Sequence, residues 1–286
     1  MRMCSAPGLY AARPLYCPLP APLSHDPHEV SHMNAASRLC VQRLRIMVLW
    51  LAGCCLPAWS APPPLPAALQ PFTLAYQARY LGLAGQATLT LQNAGQQRWR
   101  LTLHIQHAVA SLTQSTLFDE QDAGSRKVLR PLESRNIAKV PLRNRSVQAH
   151  YDWDARQAIW QGDVKPSRQG PVALQPGDLD GLLINLAVVR DVIATAALRS
   201  AAHNQPLHYR MVDGGRAVAL DYQIVGTETV TINGKPVPAT RVQRSVRDKQ
   251  QTAWIVPGIP APVRLLQRED GQDVLELWLA TATNTQ

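Results

Sequence analysis

A chain of 286 residues with a net charge of +9 and ordinary apolar content is long enough for one or two domains and able to bury a core without covalent staples. All five cysteines fall at or before Cys55, so the body that follows can hold no disulfide, thiolate metal site or cysteine nucleophile. Residues 1–60 carry five Arg against two acids, which leaves the body only moderately basic, a balance that suits anionic surfaces in general and identifies none.

Arg38, Arg43 and Arg45 precede the short apolar run Ile46–Gly53, then Cys54, Cys55 and the small residues Ala58 and Ser60. A basic flank, an apolar core too short to anchor and a small-residue cleavage site make a bacterial export signal. Translation is expected to begin at Met33, since residues 1–32 have neither helical nor strand period. Two processing routes stay open. Leu51-Ala52-Gly53-Cys54 resembles a lipobox, which would place a lipid on Cys54 and tether the body to a membrane, whereas ordinary cleavage would fall after Ser60. Either route delivers the body to the periplasm. The domain plan is therefore an extension and export signal over 1–60, a Pro-rich linker over 61–71, one β-rich domain over 72–280 and a tail over 281–286.

Phe72–Tyr80 alternates strictly, with Phe72, Leu74, Tyr76, Ala78 and Tyr80 on one face. Leu83–Gln92 and Gln97–His107 continue the pattern, the latter with Trp99, Leu101, Leu103 and Ile105 inward, and together they predict an antiparallel meander. Ser111–Phe118 reads as another strand, closed by an acidic turn at Asp119–Asp122. Arg126–Arg145 holds seven Lys or Arg against one Glu and is expected to supply a strand and an exposed connection. Ser146–Trp153 and Ala158–Trp160 form a hairpin, and a Pro- and Gly-rich stretch, 165–177, follows.

From Asp178 to Leu198 the period changes to that of a helix. Leu179, Leu182, Leu183, Leu186, Val189, Ile193 and Ala197 make one apolar row, and Ile184, Val188 and Val192 make a second. Two rows need two coverings, and Asp178 is placed to cap the helix start. Beyond the helix come hairpins over Leu207–Val212 with Arg216–Val225, and over Thr229–Ile232 with Val237–Arg244. The second turns at Asn233-Gly234, which tolerate the positive φ of a type I′ turn. Gln251–Val256, Val263–Gln267 and Val274–Leu279 complete about a dozen strands. The fold class is mainly β: a large curled antiparallel sheet or partial barrel with one packed amphipathic helix over 178–198.

The C-terminal third completes a likeness. The Phe72–Gly85 strand pair with Tyr76, the Asp152-Trp153 pair, Pro176–Leu183, and Tyr222, Gly226 and Glu228 before Gly234 are its first parts. The run Trp254-Ile255-Val256-Pro257, with Pro260, Pro262, Val263 and Arg264, is the last. The body resembles the exported bacterial proteins grouped as domain of unknown function 3108. Ahead of the helix that family tends to show a polar Gln and Asp followed by a Ser, where this chain has Asp178-Leu179-Asp180-Gly181. The resemblance implies a β-rich envelope protein and carries over no activity, cofactor or catalytic residue.

Local motifs for chemistry are sparse. His104 and His107, three apart on a strand, point to opposite faces, which disfavours a shared metal. Asp152 with Asp154 suits a turn, and Asp178 with Asp180 suits a helix start. The sequence has no nucleophile elbow, phosphate loop or zinc-protease motif. The basic stretch lacks the aromatics that stack single-stranded nucleic acid, so nucleic acid is not expected as a partner. The favoured expectation is a non-enzymatic envelope protein without cofactor. Its pocket, formed by Tyr76, Tyr80, Trp99, Leu182, Leu186, Tyr222 and Trp254, would bind an apolar or lipid-like ligand, or the protein would bind an envelope partner. Contact with a membrane is expected only through Cys54 or peripherally. Plain core packing of the same aromatics, and a hydrolase-type site assembled from distant residues, remain the alternatives.

Overall fold

The computed structural model describes residues 68–124, 126–141, 143–197 and 205–283. The leader and Cys54 lie outside them. In chain order the strands are β1 (Phe72–Tyr80), β2 (Leu83–Gly95), β3 (Arg98–His107), β4 (Ala110–Ala123), β5 (Arg126–Val140), β6 (Arg143–Asp152), β7 (Gln157–Gly162) and the short β8 (Val172–Ala173). Helix α1 (Leu183–Ala197) follows. The chain then forms β9 (Leu207–Asp213), β10 (Arg216–Ile232), β11 (Lys235–Val246), β12 (Lys249–Ile255), β13 (Arg264–Glu269) and β14 (Gln272–Thr283).

The fourteen strands among the described residues belong to one antiparallel sheet, in the order β8 to β1, then β14 back to β9. The first and last strands therefore lie side by side, with Tyr76 opposite Leu279, and the free edges are β8 and β9 from the middle of the chain. The stretch between them crosses this seam. Leu174 N–H donates to Arg156 O (2.9 Å) on one side, while on the other Leu179 N–H donates to Arg210 O (3.1 Å) and Leu179 O accepts from Val212 N–H (2.8 Å). Tyr151 adds a bond from its hydroxyl to Val212 O (3.0 Å), and Ala149, Ala158, Trp160 and Leu174 pack round it. The result is a nearly closed barrel, in which the backbone groups of two otherwise bare edges find partners.

The helix fills the curl. Leu183, Ile184, Leu186, Val188, Val189 and Val192 are all buried, and one core joins both helix rows to residues of β1–β5 and β10–β14. Both coverings foreseen for the two rows thus come from the same chain, and the helix is clad on nearly every side instead of being two-faced. Its polar residues meet polar groups of the wall. Arg190 reaches Glu120 of β4 (2.9 Å), Asn185 accepts from Gln251 of β12 (2.9 Å), and Asp191 accepts from Tyr209 of β9 (2.8 Å).

Several boundaries differ from expectation for identifiable reasons. The helix starts at Leu183 because Leu179 is spent on the seam pairing with β9. Asp119–Asp122 is no turn but the end of β4, where Asp119 binds Arg130 across the ladder (2.9 Å). Arg126–Val140 is one unbroken strand. Arg216–Ile232 is one strand as well, kept continuous by a bulge at Gly226, and β14 runs to Thr283, into the expected tail. Asn233 and Gly234, both at positive φ, form the expected tight turn.

Candidate functional site

The residues expected to line a pocket separate. Tyr76, Leu182 and Leu186 come together, with Phe72, Leu101, Leu103, Leu265 and Leu277, round an apolar cavity of about 50 Å³ between helix and wall. Tyr76 donates its hydroxyl to Pro262 O (2.9 Å) and is otherwise core. A cavity of this size holds water-sized molecules, whereas small-molecule sites span about 300–1,000 Å³. Tyr222 is buried elsewhere, edge-on to Tyr209 at 5.6 Å and beneath the Arg244 guanidinium. Trp99 is half-buried at the start of its strand, against the core.

Two of the expected residues leave the interior. Tyr80 is on the inward face by period, but it sits at the last position of β1, beyond the core, and is 53% exposed. Trp254 is on the outer face of β12: its neighbour Gln251, an odd number of residues away, is the one that reaches Asn185 inside. Trp254 is nonetheless buried, because Glu228 accepts its indole N–H (3.0 Å) and Arg264 stacks on its ring at 4.5 Å. Burial on both faces at the end of β12 hides its direction from the sequence. Glu228, Trp254 and Arg264 form one structural tie and Tyr76 with Pro262 another, and the family likeness partly rests on these residues.

At the foot of α1 lies a buried acidic group. Asp180 caps the helix: Oδ1 accepts Leu183 N–H (2.7 Å), its carbonyl accepts Ile184 N–H (3.2 Å), and Oδ2 accepts the Thr116 hydroxyl. Burial pushes its pKa up to about 7, against the lowering effect of those hydrogen bonds. Asp178, expected as the cap, instead accepts Gln175 N–H (2.7 Å) and a guanidinium N–H of Arg210, while its Oδ1 is buried without a partner. Asp213 is exposed as a residue but turns its carboxylate toward Gly181, where a Cβ would come within 2.5 Å of Oδ2. Among the described residues no three His, Cys, Asp or Glu gather as a metal site. His104 binds Thr113 (2.9 Å), and Asp152 accepts Ala155 N–H (2.8 Å) in the expected turn.

A ligand-sized space lies at the seam. A cleft of about 620 Å³ is bounded by the start of β5 (Arg126–Leu129), the crossing segment (Gln175–Leu179), the later turns of α1 and the approach to β9 (Pro206–Arg210). Val128, Leu129, Leu179, Ala187, Ala194 and Leu207 give it apolar wall. Its charges are partly internal: Arg190 is paired with Glu120, Arg210 with Asp178, and Asp191 sits between Tyr209 and Arg126, the last at 3.9 Å. Arg126 and Lys127 stand exposed at its side, so the mouth is cationic. Sequence reasoning missed this cleft, since four segments far apart in the chain build it and no local motif marks it.

No curated protein matches the chain. A solved structure, "Crystal Structure of Beta-barrel-like Protein of Domain of Unknown Function DUF1849 from Brucella abortus", is similar over 77% of this chain and 99% of that one, at 11% identity and a TM-score of 0.40. The family described as Protein of unknown function (DUF3108) matches residues 72–278, nearly the whole barrel, and the chain belongs to that family.

Proposed function

We propose that the protein is exported to the bacterial periplasm, with or without a lipid on Cys54, and works there by binding, its seam cleft taking a lipid-like ligand with an apolar body and an anionic head. One observation carries the reading: the cleft of about 620 Å³ combines apolar wall from helix and strands with the cations Arg126 and Lys127 at its mouth. That volume lies within the usual range for small-molecule sites, and the mixture of an apolar wall with a few placed charges is their usual lining. The ligand's chain would lie along Ala187 and Ala194, and its head would meet the two cations.

The test is displacement of a fluorescent fatty-acid analogue, with solvent extraction of the purified protein for mass spectrometry alongside. Saturable binding is expected, lost in Ala194→Trp, which fills the cleft, and weakened by Lys127→Glu most strongly at low salt. Binding unchanged by Ala194→Trp, or no binding together with no extracted lipid, would reject the proposal.

A further inference from the structure

Six large apolar side chains stand exposed among the described residues, and five of them, Tyr80, Leu81, Leu83, Val109 and Val140, lie at one end of the barrel. They sit on the β1–β2, β3–β4 and β5–β6 turns. The register sets these turns side by side: Tyr80 opposite Leu83, Gln86 opposite Gln106, His107 opposite Ala110, Ser111 opposite Lys139 and Val140 opposite Arg143. Six strands at about 4.8 Å spacing make a rim about 24 Å long. Single exposed apolar residues are ordinary, but a continuous row of them is not. Leu81 is 61% exposed and sits at φ 48, a conformation that favours Asn or Gly, so neither its packing nor its backbone explains a leucine there.

The three turns themselves carry charge of one sign. Residues 79–86, 105–112 and 136–145 include Arg79, Lys139, Arg143 and Arg145 and no Asp or Glu. Acids stand at its flanks: Glu276 pairs with Arg79 (3.8 Å), Asp273 with Arg268 (2.5 Å) and Glu269 with Lys249, Asp163 accepts Ser146 N–H (2.7 Å), and Asp270 is exposed on the neighbouring β13–β14 turn, which leaves Lys139 and Arg145 as the cations at the far side of the rim. We propose that this rim docks on the surface of a bilayer bearing anionic headgroups, with the apolar turn residues entering the headgroup boundary and Lys139 and Arg145 meeting lipid phosphates. Apolar tips backed by cations are the arrangement that interfacial binding uses. A second copy fits less well, since a two-fold contact would set cationic rim against cationic rim. The cleft lies beside Arg126, at the other end of β5 from Lys139, so docking and ligand binding are separate properties.

Co-sedimentation of the full chain with vesicles tests this, using phosphatidylcholine alone and phosphatidylcholine mixed with phosphatidylglycerol. The Leu81→Asn/Leu83→Thr/Val109→Thr variant suits each local backbone and leaves the leader unchanged, so any difference reports the rim. The parent is expected to sediment with the anionic vesicles and the variant to bind about ten-fold or more weakly. Lys139→Glu/Arg145→Glu, which alters only exposed side chains, should lose the preference for anionic vesicles even if the triple variant fails to fold. Equal binding by parent and either folded variant, no preference of the parent for anionic vesicles, or self-association of the parent that the variant abolishes would each overturn the proposal.

Discussion

Thr116 in β4 and Asp180 at the foot of α1, 64 residues apart, are joined hydroxyl to carboxylate inside the barrel, and neither is more than 2% exposed. The bond fastens the start of the helix to the wall at β4. Because Asp180 also caps the helix, one side chain fixes both where the helix begins and how deep it sits.

That burial gives the fold a pH dependence of predictable sign. Asp180 titrates near 7 in the folded chain and near the ordinary carboxylate value when unfolded, so between those values the folded state holds the extra proton. Stability is therefore greatest at the acid end of this window, falls as pH rises through it and levels above about 7, by at most on the order of 4 kcal/mol. Asp213, raised by burial as well, adds to the same slope. Urea midpoints measured across the window should decline with pH in the parent and decline clearly less in Asp180→Asn, which keeps a capping oxygen and leaves only the contribution of Asp213. A midpoint that rises with pH, or a slope that Asp180→Asn leaves intact, would contradict this.

Thr116→Val keeps the shape and removes the donor. Asp180 then loses its partner on β4, at a cost of about 1–3 kcal/mol, larger at high pH where the carboxylate must be charged. Thr116→Ser should restore most of the loss. Chemical denaturation of the two variants at one acid and one alkaline pH reads both effects, and equal losses for Val and Ser would show that packing, not the hydroxyl, matters.

The strands were legible because period two survives wherever one face meets the core, and Asn233-Gly234 marked its turn by backbone chemistry alone. The curl of the sheet was legible as well, but not which strands meet, since β1 pairs with β14 through residues some two hundred apart that carry no local signal. Glu120 shows a second limit. An acid in a run of acids reads as a solvated turn, yet its partner, Arg190, comes from a helix 70 residues away. Leu179 shows a third: it falls on the helical period by position but is held extended by β9. The cleft needed all of these at once, so it appeared only with the fold.

Glycines separate two kinds of constraint. At Gly162 φ is 90 and a Cβ would lie 2.2 Å from Ser146 O, while at Gly234 φ is 75 with nothing near. Gly234→Ala should cost about 1–2 kcal/mol, the left-handed backbone alone. Gly162→Ala must also push β6 and β7 apart and should cost about 3 kcal/mol or more. Thermal melts of the two variants compare them directly, and near-equal shifts would mean that the β6–β7 end yields without loss.

Arg190 and Glu120 form the most enclosed ion pair between helix and wall, with side chains only 14% and 12% exposed. Desolvation offsets much of their attraction, so the pair's value to stability differs from the cost of breaking it. Arg190→Leu leaves Glu120 charged against the helix and should lose about 3 kcal/mol or more, whereas Arg190→Leu with Glu120→Leu should recover most of that. A double-mutant cycle read by urea unfolding supplies the coupling directly. If the double variant is as unstable as the sum of its single variants, the two residues act independently, and the helix is held at this level by its apolar rows alone.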